Sequence, residues 1–352
     1  MRAVAILVCL AASSCTPLRY VTQAAAGQAE LLDGQRDIDD IVRSGDFDAR
    51  IRALLARVPA MKAYGERHGL EATKSYGTYV KLNRSAVVWV VSASDPLAFR
   101  SKTWSFPITG SITYLGWFRK KEADAFAREL RAQPAPSSPT GEHWDVDVRS
   151  ASAYSTLGWF DDPVLSTMIY PGDEALGELA DVILHESLHA TYFIPGQSIL
   201  NESVAAFVGN HLAESFLDET TGRCSREKRS YVAIEKKAAE RARAMKAAYF
   251  ALKDLYASPA PDAQKRVTKT EIMHRLRART RIEREINNAT LIQYETYGSG
   301  DVELRQLLGT CGGSWPRFLR TLESWRSQFR AAPKHADPAV LLRPLLARGC
   351  GP

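Results

Sequence analysis

The chain has 352 residues, 45% hydrophobic and 24% charged, with a formal net charge of +6. That balance excludes a disordered or low-complexity chain, and the length exceeds that of small scaffolds needing staples to hold a core. Its five cysteines show no metal-ligand spacing, which excludes a cysteine-built zinc module.

Residues 1–14 begin with Met1-Arg2, run through apolar residues from Ala3 to Ala12 and end in Ser13-Ser14 ahead of Cys15. A short basic start, an apolar stretch too short for a permanent span and small residues before a cysteine read as an export signal. The ending Ala12-Ser13-Ser14-Cys15 resembles a bacterial lipobox, which implies lipidation at Cys15. Thr16 is not an aspartate, so the same resemblance implies an outer-membrane anchor facing the periplasm. The alternative is an ordinary cleaved signal and a soluble periplasmic or secreted protein. No other segment reaches the roughly 20 apolar residues of a spanning helix. Cys9 falls in the signal, leaving Cys224, Cys311 and Cys350, of which two can pair in an oxidising compartment. The sequence does not choose which.

In the next segment, 15–70, apolar residues recur at helical spacing: Ile38, Ile41 and Val42, then Ile51, Leu54, Leu55 and Val58. This predicts an N-terminal helical hairpin. From residue 71 the pattern turns to β, with strands expected at 76–80, 86–91 and 104–108, a helix at 121–131 and a Pro-Ser loop at 134–139. Leu115-Gly116-Trp117-Phe118 returns as Leu157-Gly158-Trp159-Phe160, pointing to two similar strand-and-turn units. The second unit runs on to Met168, and its strand is either an open edge for a peptide backbone or an ordinary aromatic-packed strand.

Asp173 is the predicted N-cap of the next helix, whose Leu176, Leu179, Ala180 and Ile183 form an apolar stripe. That helix carries Leu184-His185-Glu186-Ser187-Leu188-His189. Side chains four apart project from one helical face, so His185 and His189 can aim at one point. Catalytic zinc takes three protein ligands and keeps one position open, and two imidazoles plus a carboxylate suit it. Glu202 is the expected third ligand, because the Ile194-Pro195-Gly196-Gln197 break lets the chain fold back into a second helix near Asn201. Small Ala205 and Ala206 would let that helix lie close to the first. Glu186, beside a ligand, is placed to act as general base on the activated water.

The segment 220–352 reads as helical, with helices at 225–256, 269–297, 302–308, 315–329 and 338–346. Positive charge gathers there, but Lys236, Lys237, Arg241, Arg243 and Lys246 alternate with Ala and Glu as on a solvated helix face. No nucleic-acid partner is expected of an exported protein. The fold class is α+β and mostly helical: a zincin-like α/β portion at 71–219 carries the His-Glu-x-x-His helix, followed by the all-helical lobe. A cleft between them with zinc at its floor is the expected site.

The run from Ala153 to Met168, His185-Glu186-x-x-His189 and Asn201-Glu202-Ser203 resembles the bacterial predicted-aminopeptidase lipoprotein family. Lys102-Thr103-Trp104-x-Phe106-Pro107, Gly27-Gln28-Ala29-Glu30-Leu31-Leu32 and Asn287-Asn288-Ala289 extend the likeness over most of the mature chain. The resemblance implies a gluzincin-type zinc peptidase with His185, His189 and Glu202 as ligands, Glu186 as base and a peptide as substrate. The interval of twelve residues between His189 and Glu202 is shorter than in the well-studied gluzincins, so the connection must be tight. Members of the family carry cysteines where this chain has Ser105 and Ser111, which removes any disulfide there. Peptide hydrolysis also needs a donor to the tetrahedral intermediate, for which Tyr297 and Tyr154 are candidates, and either has an ordinary core tyrosine as its alternative. An aminopeptidase must hold a free α-ammonium, and Asp161 or Asp162 can do so, although a turn before Pro163 explains both equally well. The rival reading is a non-catalytic envelope lipoprotein with a structural or vestigial metal site, which would need a fourth protein ligand such as His211. Side-chain preference, exopeptidase or endopeptidase action and oligomeric state are left open.

Overall fold

The computed structural model describes residues 16–106, 110–136, 141–153, 161–334 and 336–351. The export signal, Cys15, Tyr154 and the repeat copy Leu157-Gly158-Trp159-Phe160 lie outside the described residues. Helix accounts for 59% and strand for 10%, so the fold is α+β and mostly helical. Among the described residues no helix is long and apolar enough to cross a membrane. The chain forms two compact units, each assembled from three separate stretches.

One unit comprises the described residues of Met1–Gly34, Asn83–Ser152 and Glu240–Glu295. Its central strand Val88–Ser94 is flanked antiparallel by Tyr114–Trp117 and Asp145–Ala151. Helix Lys120–Arg131 covers this sheet with Ala123, Phe126, Ala127 and Leu130, and Trp89, Trp104, Trp117 and Val146 complete that core. The strand Asp145–Ala151 was not predicted. Its Val146 and Val148 alternate with Asp145, Asp147 and Arg149, and aspartate is disfavoured in strands unless its charge is met. Here Asp145 binds Lys269 at 2.6 Å and Asp147 binds Arg284. Helix Thr16–Asp33 lays Gly27 against the Phe118 ring, where a β-carbon would come within 2.1 Å of a ring atom. The helix expected at 269–297 instead spans Asp262–Thr280 and stops at Arg281 in the left-handed conformation, φ 55°. The chain restarts as Asn288–Leu291, where Asn287 accepts from the Thr290 amide and Asn288 donates to the Asp95 carbonyl at 2.8 Å. The Asn287-Asn288 pair is therefore a local fastener.

The other unit comprises the described residues of Gln35–Leu82, Ala153–Ala239 and Thr296–Pro352. Where a helical hairpin was expected, three short helices stand, Ile38–Arg43, Ala49–Leu55 and Val58–Arg67. Asp37 and Asp48 each cap a new helix by accepting two backbone amides, and Pro59 opens the third, so a continuous apolar period is cut into pieces. Strand Thr78–Val80 pairs antiparallel with Arg36–Asp37 and parallel with Val164–Leu165, leaving Val164–Leu165 at the sheet's end. Two long helices follow, Ala175–Thr191 and Ser198–Thr220, called below the histidine helix and the glutamate helix. Asp173 does not cap the first of them: Glu174 occupies that position without a side-chain bond, and Asp173 pairs with Arg226 at 2.6 Å. Near the C-terminus Cys311 and Cys350 form a disulfide, and Cys224 is free and exposed.

Candidate metal centre

The histidine helix is fixed first by what it buries. Ile183, Leu184 and Leu188 are fully buried, and Leu184 lies against Gly65 of helix Val58–Arg67, where a β-carbon would come within 2.9 Å. This burial fixes the rotation of the helix, which leaves His185 and Glu186 half-buried and His189 buried.

The chain then reverses within a few residues. Gly196 takes φ 84°, Arg326 donates to the Phe193 carbonyl at 2.6 Å, and Gln197 donates to the Ala332 carbonyl at 2.9 Å. Buried Asn201 closes the reversal from within: its Oδ1 accepts from the Ile194 amide and its Nδ2 donates to the Ile194 carbonyl, each at 2.9 Å. The side chain thereby replaces backbone partners for both the amide and the carbonyl of one residue, in the two peptides that flank it, which supports the short connection between the ligand helices. The glutamate helix returns along the first with Ala205 buried and Ala206 exposed. One turn further on, Gly209 lies against the histidine helix, where a β-carbon would come within 2.6 Å of Asp181.

Three side chains converge as a result. Nε2 of His185 lies 3.5 Å from one Glu202 carboxylate oxygen, and Nε2 of His189 lies 3.4 Å from the other. Donor atoms at zinc-ligand distance from one centre stand about 3.3–3.4 Å apart at tetrahedral angles. The observed separations match that edge and exceed the about 2.7–2.9 Å of a strong charge-assisted hydrogen bond. His185, His189 and Glu202 are the group that can hold a metal ion among the described residues, their ligand atoms all within 4.8 Å. The His189 side chain is 5% exposed and that of Glu202 65%, so the group opens on the glutamate side.

Electrostatics agree with the donor set. Burial opposes charge on Glu202, but hydrogen bonds and charge from the two imidazoles hold its carboxyl well below the usual range. Burial likewise opposes charge on His185, and Glu202, Glu186 and Asp181 together outweigh it and raise its pKa. Oε2 of Glu186 and Nδ1 of His189 are buried without a hydrogen-bond partner among the described residues. Such orphans cost about 1–3 kcal/mol each, the kind of penalty met at sites completed by a ligand.

Behind His185, one helical turn earlier, Asp181 accepts from the Tyr231 hydroxyl at 2.9 Å. Asn210 donates to that hydroxyl at 2.9 Å and to Glu235 at 3.0 Å. Burial, then neighbouring carboxylates, push Glu178 and Glu235 up to about 7, and burial pushes Asp181 up to about 6.

The remaining predicted residues are placed as follows. Asp162 is buried and Asp161 exposed. Tyr297 is 45% exposed on the segment leading to helix Asp301–Thr310, and Tyr154 lies outside the described residues. His211 stands outside the three-donor group: its Nδ1 lies 2.8 Å from the Phe207 carbonyl and its ring packs on Phe207 at 4.2 Å.

Tyr76, at the start of the strand expected at 76–80, lies ahead of the strand, which begins at Thr78. It is buried in the left-handed region, φ 64°, a conformation costing a side-chain-bearing residue about 1–2 kcal/mol. Its amide donates to the Asp162 carbonyl at 2.6 Å, and the Asp162 amide donates to Ser75 Oγ at 3.1 Å. Burial, then the Glu186 and Asp162 carboxylates, raise the phenol well above its usual pKa. A positive φ on tyrosine leaves no mark in a sequence; the nearest hint was adjacent Gly77.

A family model described as "Putative aminopeptidase" matches residues 19–336 of the chain. No curated protein and no solved structure matches it.

Proposed function

The chain belongs to the family described as "Putative aminopeptidase", and from that membership and its converging donors we propose a zinc-dependent peptide hydrolase of gluzincin type, acting as an aminopeptidase. The single observation that carries this reading is the meeting of His185, His189 and Glu202 from two consecutive helices. A zincin-like arrangement of the histidine helix belongs to the same reading.

The residues present suit zinc: two neutral-capable imidazoles, one carboxylate kept ionised, and a face left open. A zinc ion held there supplies Lewis acidity, polarising the scissile carbonyl and bringing the pKa of water down towards about 7. Glu186 takes the proton from the attacking water and later delivers it to the leaving amine nitrogen as the C–N bond breaks. Its buried, unpartnered Oε2 gives the carboxylate a vacant acceptor position for that proton. Asp161, which is exposed, or Asp162, which is buried, is the candidate carboxylate for the substrate's free α-ammonium.

The test is bound zinc and peptide turnover in the wild type and in Glu186→Gln, on a free-amine peptide and its N-acetylated form. The reading predicts one zinc per chain in both proteins, turnover only in the wild type, and preference for the free amine. Turnover that persists in the variant contradicts the mechanism, and equal cleavage of the blocked peptide contradicts the aminopeptidase assignment. The lipobox reading of residues 1–15 adds a membrane anchor at Cys15 on the periplasmic side, which mass spectrometry of the mature N-terminus tests directly.

A further inference from the structure

Helix Thr16–Asp33 turns its polar side chains inward. Arg19 pairs with Glu129 at 2.9 Å, and Glu30 pairs with Arg84 and Arg119. On the same side Gln23 donates to the Gly116 carbonyl at 2.9 Å and accepts from the Phe118 amide at 3.0 Å, while the Tyr20 ring stands 5.3 Å from that of Phe106. The outward face is apolar. Leu18, Val21, Ala25, Ala29 and Leu32 recur at helical spacing and are all exposed, Leu18 by 49% and Val21 by 53%. Exposed Thr22 bonds its hydroxyl to the Leu18 carbonyl at 2.9 Å, and the first exposed residue of the helix to carry a charge is Asp33, its last.

A surface helix ordinarily sets its apolar stripe against the core and its charges towards water. Here the order is reversed along about 21 Å of helix, from Leu18 to Leu32. A contiguous apolar face of this kind marks a surface that something else covers. The position of the helix in the chain identifies the cover. Cys15, the lipid-bearing residue of the lipobox reading, directly precedes Thr16, so its acyl chains would enter a bilayer one peptide unit, about 3.8 Å, from the first turn. Docking of the face onto lipid is then an intramolecular event, whereas a second copy of the chain must be met by diffusion. No described helix can cross a membrane, and a helix with one apolar face is suited to lie in the plane of its surface.

We propose that the outward face of helix Thr16–Asp33 is a membrane-docking surface whose occupant is phospholipid, with Leu18, Val21 and Leu32 entering the boundary between headgroups and acyl chains. Arg19, Gln23 and Glu30, on the opposite side, fasten the helix to the unit built on strand Val88–Ser94. The lipid at Cys15 is then more than a tether: the helix beside it fixes how that unit meets the bilayer. The proposal rests on the anchor reading of Cys15 above.

The test is nitroxide accessibility in the mature chain carrying Cys224→Ser, which removes the free thiol, with one label at a time at Val21→Cys, Ala25→Cys or Ala29→Cys. The acylated protein is bound to vesicles of phosphatidylethanolamine and phosphatidylglycerol, and the same labels on an unacylated Cys15→Ser chain in buffer give the reference. Collisions with oxygen, which concentrates in lipid, are compared with those of a water-soluble nickel chelate. The expected oxygen-to-nickel ratio rises at least about threefold over the reference at all three positions, with a depth of about 5–10 Å. Adding Leu18→Glu and Val21→Glu should return the labels at 25 and 29 to the reference ratio without lowering the thermal midpoint, since both residues are exposed. Reference ratios in acylated, vesicle-bound protein overturn the proposal and leave the anchor standing. Labels shielded from both reagents in buffer show that a second copy covers the face, and overturn it too. Mass spectrometry that finds Cys15 without acyl chains removes the anchor reading, and the proposal falls with it.

Discussion

Gly209 backs directly onto His185: a β-carbon at position 209 would lie 3.0 Å from the His185 Cβ, and 2.6 Å from a carboxylate oxygen of Asp181. The two ligand helices touch backbone to side chain at this point, which holds them close where His185 projects. Gly209→Ala therefore pushes the glutamate helix outward although residue 209 binds nothing. Overpacking of this kind costs about 1–3 kcal/mol, and zinc affinity should fall roughly 10-fold or more. Denaturant unfolding and a chelator titration measure the two effects, and unchanged zinc affinity would show that the helix spacing does not set the ligand geometry.

Asn201 acts on the same geometry from the loop side. Asn201→Ala removes both bonds to Ile194 and leaves a buried amide and carbonyl unpaired, a loss of about 2–4 kcal/mol. Asn201→Asp keeps the acceptor and loses the donor, so its loss should be smaller unless the new charge stays ionised. Equilibrium unfolding of the two variants, with zinc present and absent, checks this order. The zinc-dependent part of the stability should shrink in both, because Glu202 follows Asn201 on the same turn.

The acidic cluster behind His185 gives a pH dependence with a definite sign. Glu235 sits at about 7 in the folded chain against an ordinary 4.5, so between those values the native state holds a proton that the unfolded state has released. Stability contributed by this group is intact below about 4.5, declines as pH rises and is lost above about 7. Glu235→Gln keeps an acceptor for Asn210 and carries no charge. It should match the wild type at pH 4.5 and exceed it at pH 8 by about 1 kcal/mol, the shift being discounted for partial solvent screening. Urea midpoints at the two pH values decide the matter, and a variant weaker at pH 8 would reverse the sign.

The convergence of the three donors was legible from spacing, and the fold less so. His185 and His189 follow from one helical period, and Glu202 from the turn residues that reverse the chain. Gly209 and Asn201 were not legible as site-builders, since close approach and a loop clamp are tertiary facts. The N-terminal helices were read as two because apolar periodicity runs through Asp37 and Asp48, whose capping bonds break it. The strand Asp145–Ala151 was missed because its aspartates look like loop residues until Lys269 and Arg284 neutralise them. Tyr76 escaped because backbone strain has no composition.

Ser105 and Ser111 face each other in the antiparallel pair Trp104–Phe106 and Gly110–Ile112, with their hydroxyl oxygens 3.0 Å apart. That places two β-carbons within disulfide reach. The double variant Ser105→Cys with Ser111→Cys should lose both thiols on oxidation and gain about 2 kcal/mol, the loop-closure value for so short a ring. Thiol counting and unfolding under oxidising and reducing conditions test it, and two persistently free thiols would contradict the register.

The account depends most on Glu202 sharing one cation with His185 and His189. A competitive chelator titration of zinc into wild type, Glu202→Ala and Glu186→Gln tests that sharing. One site per chain, weakened by more than about 100-fold in Glu202→Ala and unchanged in Glu186→Gln, is the predicted result. Wild-type affinity retained in Glu202→Ala, or no zinc site in the wild type, would contradict it.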